Sequence, residues 1–243
     1  MELQGRIGII TGGGVRVGRA IALGLAGSGV DVFIHYNRSA GPAEETAEAA
    51  RSLGVRAAIG SVDLSDPSTT GALIDLAEES LGSPSILVNS ASGFPTDTIR
   101  DVALDDWRAT LDLTLGSPVF ATQAFANALP AGMDGAVVNI TDVRTHTPYR
   151  EHFSYLVAKG GIDTFTRAAA LQLAPRIRVN AVALGVILPP KQEDADYALR
   201  LAADLPLGRV GGTDPVVAAV LALIENDFVT GEIVRIDGGG HLV

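Results

Sequence analysis

Ile7-Gly8-Ile9-Ile10-Thr11-Gly12-Gly13-Gly14-Val15-Arg16-Val17-Gly18-Arg19 sets the reading of the whole chain. An apolar, β-branched stretch runs into three glycines, and helix formers follow at once in Ala20-Ile21-Ala22-Leu23. That order predicts a strand, a tight turn and a helix N-terminus. Glycines let the backbone approach a pyrophosphate closely, and the free N–H groups at the helix start favour an anion. The motif opens a repeating strand–helix pattern, so it reads as a nucleotide-binding turn rather than an isolated Gly-rich loop.

Working outward, strand-like runs recur at Arg6–Thr11, Val30–His35, Val55–Val62, Ile86–Asn89, Ala136–Thr141, Ile177–Ala183 and Glu232–Ile236. Helical patterns lie between them, near 17–28, 42–53, 67–81, 105–129, 152–174 and 214–224. Alternation of this kind predicts an α/β fold: one doubly wound parallel sheet with helices on both faces and ligands at the carboxyl ends of its strands. The 243 residues fit one such domain, 1–243, without linkers or repeats. The stretch 185–212, rich in Pro, Gly, Asp and Ala, is longer than an ordinary connection and reads as a substrate-covering lobe or lid.

Composition narrows the function classes. Hydrophobic residues make up 47% of the chain, enough for a sheet buried on both faces. A net charge of −10 argues against general affinity for nucleic acid or anionic membrane, so an anionic cofactor must be held by local cations. The absence of cysteine excludes disulfides and thiolate catalysis. His35, His146, His152 and His241 show no ligand spacing, so no metal site is expected. With no signal-peptide pattern and no long apolar run, a soluble cytoplasmic protein is the expectation.

The second strand ends in His35-Tyr36-Asn37-Arg38-Ser39. An NAD site of this kind places an acid here for the ribose 2′-hydroxyl, whereas NADP needs a cation for the 2′-phosphate. Asp31 lies at the wrong end of the strand; Arg38 is well placed, with the Ser39 hydroxyl as a further donor and Arg16 beside the phosphates. NADP(H) is therefore the expected cofactor.

Tyr155 and Lys159 are four residues apart, which on a helix puts both on one face. An ammonium beside a phenol is expected to lower the phenol's pKa and make proton exchange practical. The pair follows the strand Ala136–Thr141, downstream of the dinucleotide turn.

With these residues in view, the chain resembles a short-chain dehydrogenase/reductase from end to end. The Gly turn, Asp63-Leu64, Asn89-Ser90-Ala91, Tyr155/Lys159, Arg178-Val179-Asn180 and Asp237-Gly238-Gly239 stand in the family's order. The resemblance implies a Rossmann-type sheet of about seven strands, commonly assembled as homotetramers or dimers. It implies cofactor contacts at Gly12, Arg16, Val17 and Gly18, at His35 through Ser39, and at Asp63 and Leu64. Further contacts are implied at Asn89, Ser90, Ala91, Tyr155, Lys159, Gly185 and Ile187. Within the family, Arg16 replaces the turn's second glycine, and Asp142, thirteen residues before Tyr155, replaces the usual catalytic Ser. Ser92 stands where the family has Gly and is followed by Gly93-Phe94, Thr114 stands for the helix Asn, and Leu184-Gly185 for Pro-Gly.

Arg in the turn, His-Tyr-x-Arg-Ser, Ala-Ser-x-Phe and Asp for Ser together resemble the pteridine reductases. By that resemblance Ser92 and Phe94 would meet a pterin, with Phe94 stacked on its ring, and Asp142 would assist Tyr155 and Lys159 in delivering a proton. Three functions are compatible with the sequence. The first is NADPH-dependent reduction of a dihydropterin- or dihydrofolate-like ring. The second is NADPH-dependent carbonyl reduction, as of a 3-oxoacyl thioester. The third is a non-catalytic NADP-binding sensor.

Overall fold

The computed structural model describes residues 1–189 and 195–243. The apolar runs become seven strands: β1 (Ile7–Ile10), β2 (Asp31–Tyr36), β3 (Ala57–Ser61), β4 (Ile86–Asn89), β5 (Gly135–Asp142), β6 (Ile177–Leu184) and β7 (Ile233–Ile236). They form one sheet in the order β3-β2-β1-β4-β5-β6-β7, every pair parallel. The helices are α1 (Arg16–Gly27), α2 (Ala40–Ser52), α3 (Thr70–Leu81), α4 (Leu104–Leu111), α5 (Ser117–Ala128), α6 (Phe153–Leu173), α7 (Ala195–Ala203) and α8 (Asp214–Glu225).

Successive strand residues point to opposite faces, so each strand contributes to two cores. Ile10, Ile34, Val88, Val138 and Val182 pack with Ile21 and Leu25 of α1, Ala43 and Ala47 of α2, and Val216 and Val220 of α8. Ile9, Phe33, Leu87, Val137 and Val179 pack with Leu73 and Ile74 of α3, Ala121 and Phe125 of α5, and Ala169 of α6. This is the doubly wound Rossmann-type architecture expected from the alternation. Its topological switch lies between β1 and β4, which opens a crevice at their carboxyl ends.

Two local differences from the sequence reading have physical causes. The helical pattern over 105–129 is interrupted by a π turn at Asp112–Gly116. Pro118 has no N–H to give the carbonyl of Thr114, four residues earlier, and the helix widens just before it. Within 185–212, the run Ala195–Ala203 is helical, with Ala198 and Ala202 buried. Residues 190–194 of that lobe lie outside the described residues. Its base is fixed by backbone bonds from Leu207 to Gly238, Gly211 to Val186 and Gly212 to Ile187. No described helix is long and apolar enough to cross a membrane.

The turn after β1 is sterically closed. A Cβ on Gly18 would stand 2.2 Å from the carbonyl oxygen of Gly12. Gly18→Ala should therefore displace the turn and destabilise the fold by about 1–3 kcal/mol. Thermal unfolding reads this as a drop of roughly 2–4 °C per kcal/mol for a chain of this size. An unchanged midpoint would contradict the packing described.

Candidate active site

The carboxyl ends of β1, β2, β4, β5 and β6 converge on one edge. Thr11 ties two of them together: its Oγ1 accepts from the N–H groups of Ser90 (2.9 Å) and Ala91 (3.0 Å). Gly12 has φ +65°, and a Cβ there would meet Ala91 Cα at 3.2 Å, so only glycine lets the two chain ends approach this closely. Arg16 takes a left-handed φ of 52° without being glycine, a strain of about 1 kcal/mol or more. Its Nη2 donates to the carbonyl of Pro189 at 2.8 Å, reaching from the turn to the lobe.

His35 is buried beneath this turn. Its Nε2 bonds the Val62 carbonyl (2.8 Å), which can only accept, so Nε2 carries the proton and Nδ1 accepts from Gly12 N–H (3.2 Å). Burial holds its pKa below the usual histidine value. The imidazole thus supports the turn from inside.

Gly12, Gly14, Val15, His35, Tyr36, Asn37, Arg38 and Ser39 line a cavity of about 330 Å³. Arg38 is exposed at its end and makes no hydrogen bond among the described residues; after the Ser65 bonds, its charge helps hold Asp63 below the usual carboxylate range. A cation free to meet a 2′-phosphate, beside a glycine turn and a helix start, fits NADP(H). Asp63 forms a local turn with Ser65 and accepts from Asn37, with buried Leu64 beside it. The Asn89 amide is turned inward onto Asn139 and Thr122, so a cofactor could meet that residue only through its main chain. Ile187 is likewise buried, and a Cβ on Gly185 would lie 2.7 Å from Asp237 Cα, which explains glycine at that crossing. Val17 and Gly18 sit in the first turn of α1.

The chemical centre is built from β5 and α6. Asp142 ends β5, and its Oδ1 accepts from Arg144 N–H (2.8 Å), capping the short turn Val143–Thr145. Its Oδ2 accepts from the Tyr155 hydroxyl at 2.8 Å. Lys159 is buried one turn along α6, and its Nζ donates to the Ile140 carbonyl at 2.7 Å. The ammonium lies 5.6 Å from the Tyr155 ring centroid. The expected lowering of the Tyr155 pKa is overturned: burial and the Asp142 carboxylate push it well above the usual phenol value. Burial also raises the Asp142 carboxyl, against the pull of its hydrogen bonds and Lys159. Lys159 is lowered by burial to about 8, although Asp142 and Asp163 oppose that shift.

Phe94 is half-exposed beside this centre, stacked on His152 at 3.8 Å and edge-on to Tyr155 at 4.8 Å. Ser92 Oγ lies 3.5 Å from Oγ1 of buried Thr114, in the π turn. His152 precedes α6 with φ 63° and donates through Nδ1 to the Pro95 carbonyl (2.7 Å). Asp97 caps α6 by accepting from the Ser154 N–H (3.0 Å) and hydroxyl. The loop bearing Phe94 is thereby fastened to the helix bearing Tyr155. Neither Asp97 nor His152 was singled out from the sequence, because the contact spans 57 residues.

The sequence profile of the family described as enoyl-(acyl carrier protein) reductase matches residues 14–241. The chain belongs to the short-chain dehydrogenase/reductase superfamily. It is similar to 3-oxoacyl-(acyl-carrier-protein) reductase FabG of Pseudomonas aeruginosa, at 32% identity over 100% of both chains. It is 31% identical to 3beta-hydroxysteroid dehydrogenase 1 of Eggerthella lenta over 98% of this chain and 94% of that one. FolM alternative dihydrofolate reductase 1 of Brucella canis, crystallised with NADP, superposes with a TM-score of 0.93 at 34% identity, covering 100% of this chain and 97% of its own. The names of these relatives thus span several substrates.

The His35 arrangement sets a pH dependence for the dehydrogenase/reductase turn. Because the folded pKa lies below the unfolded value of 6.5, the contribution is complete above pH 6.5. Below it, the unfolded chain takes up a proton that the folded chain refuses, and stability falls. Urea unfolding at about pH 7.5 and about pH 5.5 should show a larger loss for the wild type than for His35→Asn. Equal losses would contradict a neutral, buried His35.

Proposed function

We propose that this NADP(H)-dependent oxidoreductase reduces a pteridine-type ring, a dihydropterin or dihydrofolate-like substrate. The observation that carries the reading is the hydrogen bond from Tyr155 to Asp142, where reductases of simple carbonyls place a hydroxyl, beside the half-exposed ring of Phe94. Reduction of a C=N bond needs a hydride at carbon and a proton at nitrogen. NADPH supplies the hydride. The proton is the task of this chain's own residues.

Tyr155 is a neutral phenol, too weak an acid to be left as phenolate in this buried place. Asp142, raised by burial, holds a proton more readily than an exposed carboxyl. With Asp142 protonated, the Tyr155 hydroxyl turns from Oδ2 to the ring nitrogen and gives up its proton, and the carboxyl proton of Asp142 passes to the phenolic oxygen across the same 2.8 Å contact. No phenolate forms, and Asp142 ends as a carboxylate that solvent reprotonates. Lys159, fixed on the Ile140 carbonyl, supplies the positive charge that makes this carboxylate tolerable.

Phe94 and Ser92 form the substrate wall, with Phe94 offering an aromatic surface to a flat heterocycle. The lobe 185–212 of this single domain covers the substrate, which the Arg16–Pro189 bond supports. The same reading places a homotetramer or dimer in the cytoplasm, its contacts covering exposed Leu104, Phe120, Val157 and Leu171. The likeness to FolM alternative dihydrofolate reductase 1 of Brucella canis supports the pterin-class substrate.

A second reading is a 3-oxoacyl thioester reductase, favoured by the family profile and the Pseudomonas relative. Against it, a carboxylate at 142 would repel a developing oxyanion. Loss of NADPH absorbance should be faster, per unit kcat/KM, with dihydrobiopterin than with acetoacetyl-CoA. The reverse order would overturn the pteridine reading in favour of the second.

A further inference from the structure

One buried carboxyl in this region is unused by the proton relay. Asp163 stands on α6 one turn beyond Lys159 and is 6% exposed. Its Oδ1 accepts from Thr141 Oγ1 at 2.7 Å, and its Oδ2 from Thr145 Oγ1 at 2.8 Å. Thr141 immediately precedes Asp142 on β5, and Thr145 closes the short turn that follows it. The carboxylate therefore grips the chain on both sides of Asp142. An ionised carboxylate only accepts, and both partners are hydroxyl donors. Among the described residues no cation makes a direct salt bridge with its side chain: Arg167 reaches only its main-chain carbonyl, and the Lys159 ammonium interacts with it from one turn back on α6.

We infer that Asp163 is a positioning residue for the proton-delivering centre: it supplies the lasting counter-charge for Lys159 and clamps the segment that presents Asp142 to Tyr155. The inference rests on the reading of Asp142, Tyr155 and Lys159 as that centre. Its logic is a count of buried charges. One ammonium faces two carboxyls, Asp142 and Asp163, and these are the charges that act on Lys159. Arg144 and Tyr149, from the turn after β5, act on Asp142, and Tyr155 faces it from α6. If Asp142 alone balanced Lys159, protonating it in each cycle would strip the lysine of its only charged partner. With the second carboxyl, Asp163, held by two hydroxyl donors away from the relay, Asp142 is free to alternate between carboxyl and carboxylate while Lys159 keeps a charged partner. Two environments thus separate the roles of two carboxyls that share one cation.

The chain contains two lysines, Lys159 and Lys191, which makes a direct test practical. In cofactor-free protein labelled with 13C at lysine Cε, Lys191→Arg leaves a single lysine signal, and its titration should be centred near 8. Asp163→Asn keeps the shape and a hydrogen-bonding partner for each threonine but removes the charge. It should move that titration down by roughly one pH unit or more, and draw the alkaline limb of the kcat/KM profile down with it. Asp163→Glu should restore most of the shift, and Thr145→Val, which removes one clamp and keeps the charge, should leave the titration in place. An unmoved titration in a folded Asp163→Asn protein would overturn the inference. Should that variant not fold, the wild type still decides: a midpoint near roughly 5–6, as burial without a counter-charge gives, would also overturn it. A shifted lysine with no pterin reduction by the wild type would uphold Asp163's charge role and count against the substrate reading instead.

Discussion

The bond between the Tyr155 hydroxyl and the Asp142 carboxyl is the constraint around which the site is arranged. At 2.8 Å, buried, and with a lysine in reach, it joins two groups that each resist ionisation. A phenol facing an ammonium alone would be a poised acid. On the proposed reading, a phenol facing a carboxyl is instead the middle member of a relay, and the proton it gives is replaced from behind. The pteridine-type substrate proposed above rests on that difference.

The fold supplies the parts by bringing distant strand ends to one edge. β5 delivers Asp142, α6 delivers Tyr155 and Lys159, and the loop after β4 delivers Ser92 and Phe94. Each delivery is secured by a buried polar contact. Thr11 fastens the end of β4 to the glycine turn, and His35 supports that turn from the core. Asp97 fastens the Phe94 loop to the start of α6, and Asp163 fastens the end of β5 to its third turn. Side chains tied in this way lose little further freedom when a substrate binds, which lowers the cost of reaching a reactive geometry.

Much of this was legible in the chain. Short β-branched runs alternating with amphipathic ones gave the parallel sheet, and the position of Arg38 after β2 gave the phosphate-bearing cofactor. Asp142 and Tyr155 could be paired only through the family resemblance, in which Asp142 stands in the place of the catalytic Ser. Local spacing puts Lys159 one turn from Tyr155 but reveals neither the burial of the phenol nor the Asp142 carboxylate against it, and these push the Tyr155 pKa up where the spacing predicts a fall. Helical periodicity over 105–129 concealed a π turn that depends on the absent N–H of Pro118. The cap from Asp97 and the clamp from Asp163 involve residues whose partners lie on other elements, and neither carries a local signature. Arg16 could be placed in the turn but not its left-handed backbone or its reach to Pro189.

The most direct measurement of the central claim is the substrate preference of Asp142→Ser, taken as the ratio of kcat/KM for dihydrobiopterin to that for acetoacetyl-CoA. Serine restores the hydroxyl usual at this position and removes the relay's proton. The account predicts a fall in that ratio of at least about 100-fold, the scale of a lost general acid, with NADPH affinity retained. A ratio unchanged from the wild type would contradict it, because Asp142 would then have no part in choosing nitrogen over oxygen.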